Sequence, residues 1–152
     1  MFSKKIEFIN DVDFENPSDS NKDNIYEINL KADDGQMHVT KKIEIHLLDD
    51  NDNPTKLNFD GSTIDENLLV DTLIGTFSTV DQDVNETFTY SFVSGFGSED
   101  NSSFKISDNK LISNEVFDHE TKSKYNFRVR STDSGGLFVE NNYEVIINKI
   151  DR

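Results

Sequence analysis

The stretch LLDDNDNPTKL, residues 47–57, decides how this chain is read. Asp49, Asp50, Asn51, Asp52 and Asn53 stand side by side between two apolar flanks, and Pro54 follows at once. Like charges packed this closely repel. Either the segment is a solvated loop, or a cation holds it. Ca²⁺ takes six to eight oxygens from carboxylates, amide oxygens and backbone carbonyls, and DDNDN offers all three while its Asn residues limit the negative charge. Pro54 then restrains the exit of the loop.

On both sides of this stretch the apolar residues recur with period two. IYEINLKA places Tyr26, Ile28 and Leu30 on one face, and KKIEIHLL does the same with Ile43, Ile45 and Leu47. Downstream, TFTYSF, YNFRVR and YEVII repeat the alternation, the last through Tyr143, Val145 and Ile147. These are half-buried strands. No segment sustains a period of 3.6, and turn residues punctuate the chain densely. The reading is all-β, an antiparallel Greek-key β-sandwich.

The bulk composition narrows the partners. The chain has 152 residues, a net charge of −15, no Cys and 12 Phe. Such a charge is unsuited to nucleic acid, whose phosphates need Lys and Arg, and suits a cation partner. Without Cys there are neither disulfides nor thiolate metal sites. No stretch is long and apolar enough to span a bilayer as a helix, and the N-terminal residues lack a leader's apolar region, so an export signal would lie outside this chain.

An internal repeat is visible. DFE (residues 13–15), YEINLKADDG (26–35) and KKIEIHLLD (41–49) recur in order as DHE (118–120), YNFRVRSTDSG (125–135) and YEVIINKID (143–151). Residues 54–114 have no upstream counterpart. The chain therefore reads as the back half of one repeat followed by the whole of the next.

Seven acidic clusters fall where strands end. DQDVNETFTYSF begins like an EF-hand loop, but Glu86 stands where that loop needs Gly and Phe92 where it needs Glu, so this reading is rejected. His38, His46 and His119 read as solvated surface residues without a nucleophile or a metal-binding pattern, and no enzyme is expected.

The ordered set of motifs resembles the cadherin repeat family, in particular the cadherin-like repeats of bacterial surface proteins. DDNDNP resembles its D-x-N-D-N-x-P linker, and IDEN its acidic x-E-x-E-N element. VDQDVNETFTYSF resembles its D-x-D-x-G-x-N followed by an aromatic strand, with Val84 where glycine is usual. FDHE and DFE resemble L-D-R-E, and VRSTDSGG and LKADDG resemble V-x-A-x-D-x-G.

The resemblance implies residues 1–48 as the C-terminal half of a repeat, a Ca²⁺-binding linker at 49–54 and a complete immunoglobulin-like repeat at 55–152. It also implies a ligand set for the junction. Asp13 and Glu15 come from the first repeat, and Asp50, Asn51, Asp52 and Asn53 from the linker. Asp81, Asp83, Asn85 and Asp133 come from the second repeat. Glu66, Asp118 and Glu120 form the far end of that repeat, facing a further linker. Asp49 is expected to end a strand rather than bind metal. The first repeat's opening strand, with its bridging glutamate, is missing, so the ion held by Asn51, Asn53, Asp81, Asp83, Asn85 and Asp133 is expected to bind best. Asp151 and Arg152 read as the start of another linker, as in a piece of a longer array.

The implied function is calcium-dependent cell-surface adhesion, with Ca²⁺ stiffening the junction between repeats, in an extracellular, bacterial setting. The partners are other repeats of the same protein or another copy, with strand swapping, and a cell-surface protein or glycan. The alternative is a carbohydrate- or protein-binding β-sandwich module using the loop SGFGSEDNSS, residues 94–103. The bland reading of that loop is a mobile connector. Residues 1–48 are expected to form three strands, KKIEFI, NIYEINLKA and VTKKIEIHLL, sharing an apolar face that is partly disordered or completed by another copy.

Overall fold

The structure, a computed structural model, describes residues 4–151. Residues 1–3 and 152, at the outer limits of the expected domains and at the end of the expected further linker, lie outside the described residues. The described chain divides into two units that meet in sequence at Asp50 and Asn51. The expected linker is thus shared: Asp49 and Asp50 go with the first unit, and residues 51–54 with the second. Among the described residues no helix is long and apolar enough to cross a membrane.

The first unit contains β1 (Ile25–Asp33) and β2 (His38–His46), joined antiparallel. Tyr26 stands opposite Ile45 and Ile28 opposite Ile43, so apolar residues meet across the ladder on one face. The other face carries ion pairs from Lys42 to Glu27 and Glu44. The expected third strand, KKIEFI, is not formed: residues 4–9 pair with no strand among the described residues. Instead the Phe8 ring meets Tyr26 edge-on with centroids 5.0 Å apart. Ile6 and Phe8 line a cavity against Tyr26, Ile28 and Ile45 of the hairpin, while Ile9 stands exposed. The polar loop before β1 is held locally, with Asp19 accepting from the backbone N–H groups of Asp23 and Asn24.

The second unit is a sandwich of two four-stranded sheets. Its strands are β3 (Lys56–Phe59), β4 (Thr63–Asp65), β5 (Leu73–Val80), β6 (Thr89–Phe92), β7 (Phe104–Ser107), β8 (Lys110–Ser113), β9 (Lys124–Thr132) and β10 (Phe138–Asn148). One sheet runs β4-β10-β9-β6 and the other β3-β5-β8-β7. All pairings are antiparallel except β4 with β10, which is parallel. The period-two reading holds residue by residue along β9, where Tyr125, Phe127, Val129 and Ser131 point inward and are buried. Val145 and Ile147 do the same on β10.

Aromatic rings fill the space between the sheets. Phe77 lies 4.9 Å from Phe59 and 5.3 Å from Tyr90, and Phe59 meets Phe127 edge-on at 5.4 Å. Offset and edge-to-face pairs of this kind add to the area they bury. The buried Ser131 hydroxyl is satisfied by Thr79 Oγ1 at 2.6 Å. Two glycines permit a close crossing: a Cβ at Gly61 would lie 2.5 Å from the Ile74 carbonyl, and one at Gly75 would lie 2.6 Å from Gly61 Cα.

On the outer face of β9, Arg128 and Arg130 both grip Glu140 of β10, through Nη2 at 2.8 Å and 2.6 Å. These two guanidinium groups, Arg130 the stronger, hold the Glu140 carboxyl below its ordinary value of 4.5.

Phe127→Ala should destabilise the second unit by about 3–5 kcal/mol, because it removes a fully buried ring from a packed core. That lowers its Tm by roughly 12 °C or more. Phe96→Ala, at a position 84% exposed, should shift the melt by less than about 0.5 kcal/mol. Because the Glu140 pKa is depressed, its contribution is full above pH 4.5 and disappears as the pH falls through the lower folded value. Glu140→Gln should therefore flatten the acid limb of the stability curve, measured by thermal melts of the second unit.

Candidate functional site

The strands of the second unit deliver carboxylates to both of their ends. Asn51 to Asn53 precede β3, Asp81 and Asp83 follow β5, and Asp133 follows β9, all at one end. At the other end Glu66 follows β4, while Asp118 and Glu120 precede β9.

The first group is tied together by hydrogen bonds. Asn51 Nδ2 donates to Asp133 Oδ2 at 3.0 Å, and the Asp52 N–H donates to Asp83 Oδ2 at 2.8 Å. The Asp83 N–H donates to Asp81 Oδ1 at 3.1 Å. Glu86 binds both the N–H and the hydroxyl of Ser134, at 3.1 Å and 2.6 Å, and so fixes the loop after β5 against the turn after β9. In that turn a Cβ at Gly135 would collide with the Asn51 side chain, so glycine is what lets Asn51 approach.

Asp133 is buried. Burial opposes its charge, but hydrogen bonds from Asn51 and from the amides of Leu137, Gly136 and Gly135 outweigh it and hold the carboxyl below 3.8. Asp81 Oδ2 is buried and accepts no hydrogen bond from the described residues. A negative oxygen so placed is costly without a positive partner. Asn85 is exposed with a left-handed φ of 61°. That left-handed turn falls on Asn85 and not on Val84, which explains why valine is tolerated where the resemblance had glycine. Asn53 is exposed beside the buried Pro54.

In the second group Glu66, Asp118 and Glu120 bring carboxylate oxygens within 4.8 Å of one another. Glu66 is buried and accepts from the Ile150 N–H at 2.9 Å and the His119 N–H at 3.0 Å. These two backbone bonds keep its pKa below 4.5. Asp118 binds the Thr121 hydroxyl at 2.9 Å, which lowers its pKa as well. Among the described residues Lys149, 2.8 Å from Glu120, is the cation paired with this trio.

His119 is not the solvated surface residue expected. It is partly buried, and its Nδ1 lies 2.7 Å from the Ile147 carbonyl. A carbonyl only accepts, so Nδ1 carries the proton. The neighbouring strand end creates this anchor, which no local motif announces.

In the first unit Asp13 and Glu15 are brought together, with the Glu15 N–H donating to Asp13 Oδ1 at 3.0 Å. Asp50 is the exposed last residue of that unit. Asp49 departs from expectation. β2 ends at His46, so Asp49 does not terminate it, and its carboxylate stands within 4.8 Å of that of Glu15. A backbone hydrogen bond favours the Glu15 anion, but desolvation and the Asp49 and Asp13 carboxyls together raise its pKa to about 7. Nothing in the sequence marked Asp49, because the end of a strand depends on its pairing partner.

The loop at residues 94–103 is anchored, which corrects the mobile-connector reading. Asn101 Nδ2 donates to the Val93 carbonyl, its Oδ1 accepts from the Arg128 N–H, and Asp100 Oδ2 accepts from the Asn126 N–H.

No family model matches the chain. Over 130 residues, 82% of its length, it is 32% identical to human Protocadherin Fat 1, and it spans 3% of that protein. The Protocadherin GammaB4 extracellular domain is 29% identical, with a TM-score of 0.64 over 91% of this chain and 22% of the other. The chain is similar to the cadherin family. Two further structures carry the likeness of fold alone. Human Protocadherin-24 EC1-2 is 20% identical, with a TM-score of 0.66 over 93% of this chain and 70% of that one. The protocadherin gammaB7 EC3-6 cis-dimer is 24% identical, with a TM-score of 0.59 over 91% and 33%. The all-β sandwich of this cadherin-like chain is therefore that of cadherin extracellular domains.

In chelator, a carboxyl-detected NMR titration should find Glu15 titrating at about 7, and Asp49→Asn should return it toward 4.5. A raised carboxyl pKa makes the first unit lose stability as the pH climbs from 4.5 to about 7.

Proposed function

We propose that this cadherin-like chain is an extracellular adhesive and structural module whose sandwich ends bind Ca²⁺. The observation that carries this reading is the buried Asp81 Oδ2, which has no hydrogen-bond partner among the described residues, next to Asp83, whose N–H donates to the other Asp81 oxygen. The donors are all oxygen, as a hard cation requires. Asn51, Asn53, Asp81, Asp83, Asn85 and Asp133 would hold one ion, and Glu66, Asp118 and Glu120 another. Asp13 and Glu15 would serve the first unit, with Asp50 and Asp52 contributing from the linker. The raised pKa of Glu15 supports this, since a carboxylate crowded by carboxylates takes up a proton when no cation is present.

A cation at each end of a β-sandwich neutralises carboxylates where a neighbouring repeat begins. Consecutive repeats would then be held in line by shared ligands, and the array would bend when the ion is lost. The partners of such a module are other repeats and other copies, a reading supported by the likeness to protocadherin extracellular domains. A catalytic role has no support in the site: His119 is tied to a main-chain carbonyl, and the carboxylates sit at strand ends.

Thermal melts with and without Ca²⁺ test the reading. With a Kd of about 10⁻⁴–10⁻³ M, 10 mM Ca²⁺ should stabilise the second unit by about 1.4–2.7 kcal/mol. Asp81→Asn should raise the melt in chelator, by relieving repulsion, and shrink the response to Ca²⁺. A melt indifferent to both chelator and Ca²⁺ would sink the proposal.

A further inference from the structure

Three segments of the second unit gather at the end that holds Asp133: residues 51–54, the loop after β5 (81–88) and the turn between β9 and β10 (133–137). β5 belongs to one sheet, β9 and β10 to the other, so Asp81 and Asp83 are delivered by one layer and Asp133 by its opposite. Each segment is shaped from within. The Asp83 N–H donates to Asp81 Oδ1, and the Leu137 N–H donates to Asp133 Oδ1 at 2.8 Å. The segments are also tied to one another. Asn51 Nδ2 donates to Asp133 Oδ2, and the Asp52 N–H donates to Asp83 Oδ2. Both of these ties draw on carboxylate oxygens of the set that would hold an ion, so a bound cation competes with them. The tie from Glu86 to Ser134 is different in kind. Glu86 Oε2 accepts from both the N–H and the hydroxyl of Ser134, and neither residue belongs to the ligand set. The β6–β9 ladder stops with Thr89 opposite Thr132, and Glu86 and Ser134 stand just past its end.

We propose that Glu86 is a positioning residue of this cation site, an inference that rests on the Ca²⁺ reading above. It acts through its neighbours. Glu86 follows Asn85 directly and Ser134 follows Asp133 directly, so the bond between them sets the spacing of two ligands that come from different segments. A carboxylate that accepts two hydrogen bonds makes a strong tie, because the acceptor is charged. Since it uses no ligand atom, it stays closed with the ion absent and with the ion bound. Ligands already held at their spacing lose less freedom when the cation arrives, and more of the interaction appears as affinity. The same carboxylate also carries a negative charge, which attracts a cation wherever it points. Charge and position are separable, because glutamine keeps the accepting oxygen and discards the charge.

Calorimetric titration of the whole chain with Ca²⁺ tests this, with carboxyl signals followed by NMR: Asp81 and Asp133 report one end, Glu66 and Asp118 the other. Glu86→Ala should weaken binding at Asp81 and Asp133 by about 10-fold or more, since it releases both bonds to Ser134. Glu66 and Asp118 should respond to Ca²⁺ as they do in the parent chain. Glu86→Gln should recover most of the loss. Ser134→Ala, which leaves the Glu86 charge and the N–H bond in place, should fall between the parent and Glu86→Ala. In chelator, Glu86→Ala should broaden the amide signals of Asn85 and Ser134 by exchange on the µs–ms scale, while Phe127 and Val129 in β9 stay sharp, which separates loosened loops from a damaged core. Binding at Asp81 and Asp133 that Glu86→Ala leaves unchanged would overturn the proposal. So would a loss in Glu86→Gln as deep as in Glu86→Ala, which would make charge the cause. If the parent chain takes up no Ca²⁺, the calcium reading itself fails and the role of Glu86 falls with it.

Discussion

The inward row of β9 is the constraint on which the second unit depends. Tyr125, Phe127, Val129 and Ser131 alternate with Asn126, Arg128 and Arg130, so one strand is buried on one side and polar on the other. β9 lies between β10 and β6, and its buried rings meet those of β3, β5 and β7 across the sandwich. A slip of one residue would turn every ring to solvent. Register is thereby fixed, and with it the position of everything at the ends of the strand.

Those ends carry the chemistry. Asp118 and Glu120 enter β9 and Asp133 leaves it, so the core determines how far apart the two carboxylate groups stand. Within each group the backbone does the collecting. Amides of Ile150 and His119 fix Glu66, while the Glu86 bridge to Ser134 and the glycine at 135 draw Asn51 onto Asp133. Hydrogen bonds to anions lower their pKa and keep them charged, so the ends of the sandwich stay negative at neutral pH. The fold thus maintains like charges in proximity, an arrangement that a bound cation would relieve.

The first unit shows the same strand grammar without the same cover. Its ladder repeats β9–β10 pair by pair, yet its inward row is only partly shielded. Local pairing and alternation are enough to form the hairpin. Burial of its face requires a second layer, which supplies most of the stabilisation in a sandwich.

The sequence by itself determined the strand alternation, the turn positions, the internal repeat and the residue types at every strand end, because a two-residue period and turn chemistry are local properties. Glu66, Asp118, Glu120 and Asp133 were legible in this way, as members of an ordered pattern. The tertiary structure alone decided which residues meet. It placed Asp49 against Glu15, anchored His119 to Ile147, pinned the loop at 94–103, and left KKIEFI out of the ladder. Each of these turns on whether segments distant in the chain meet, which is set by which surfaces find cover, a quantity that no local pattern encodes.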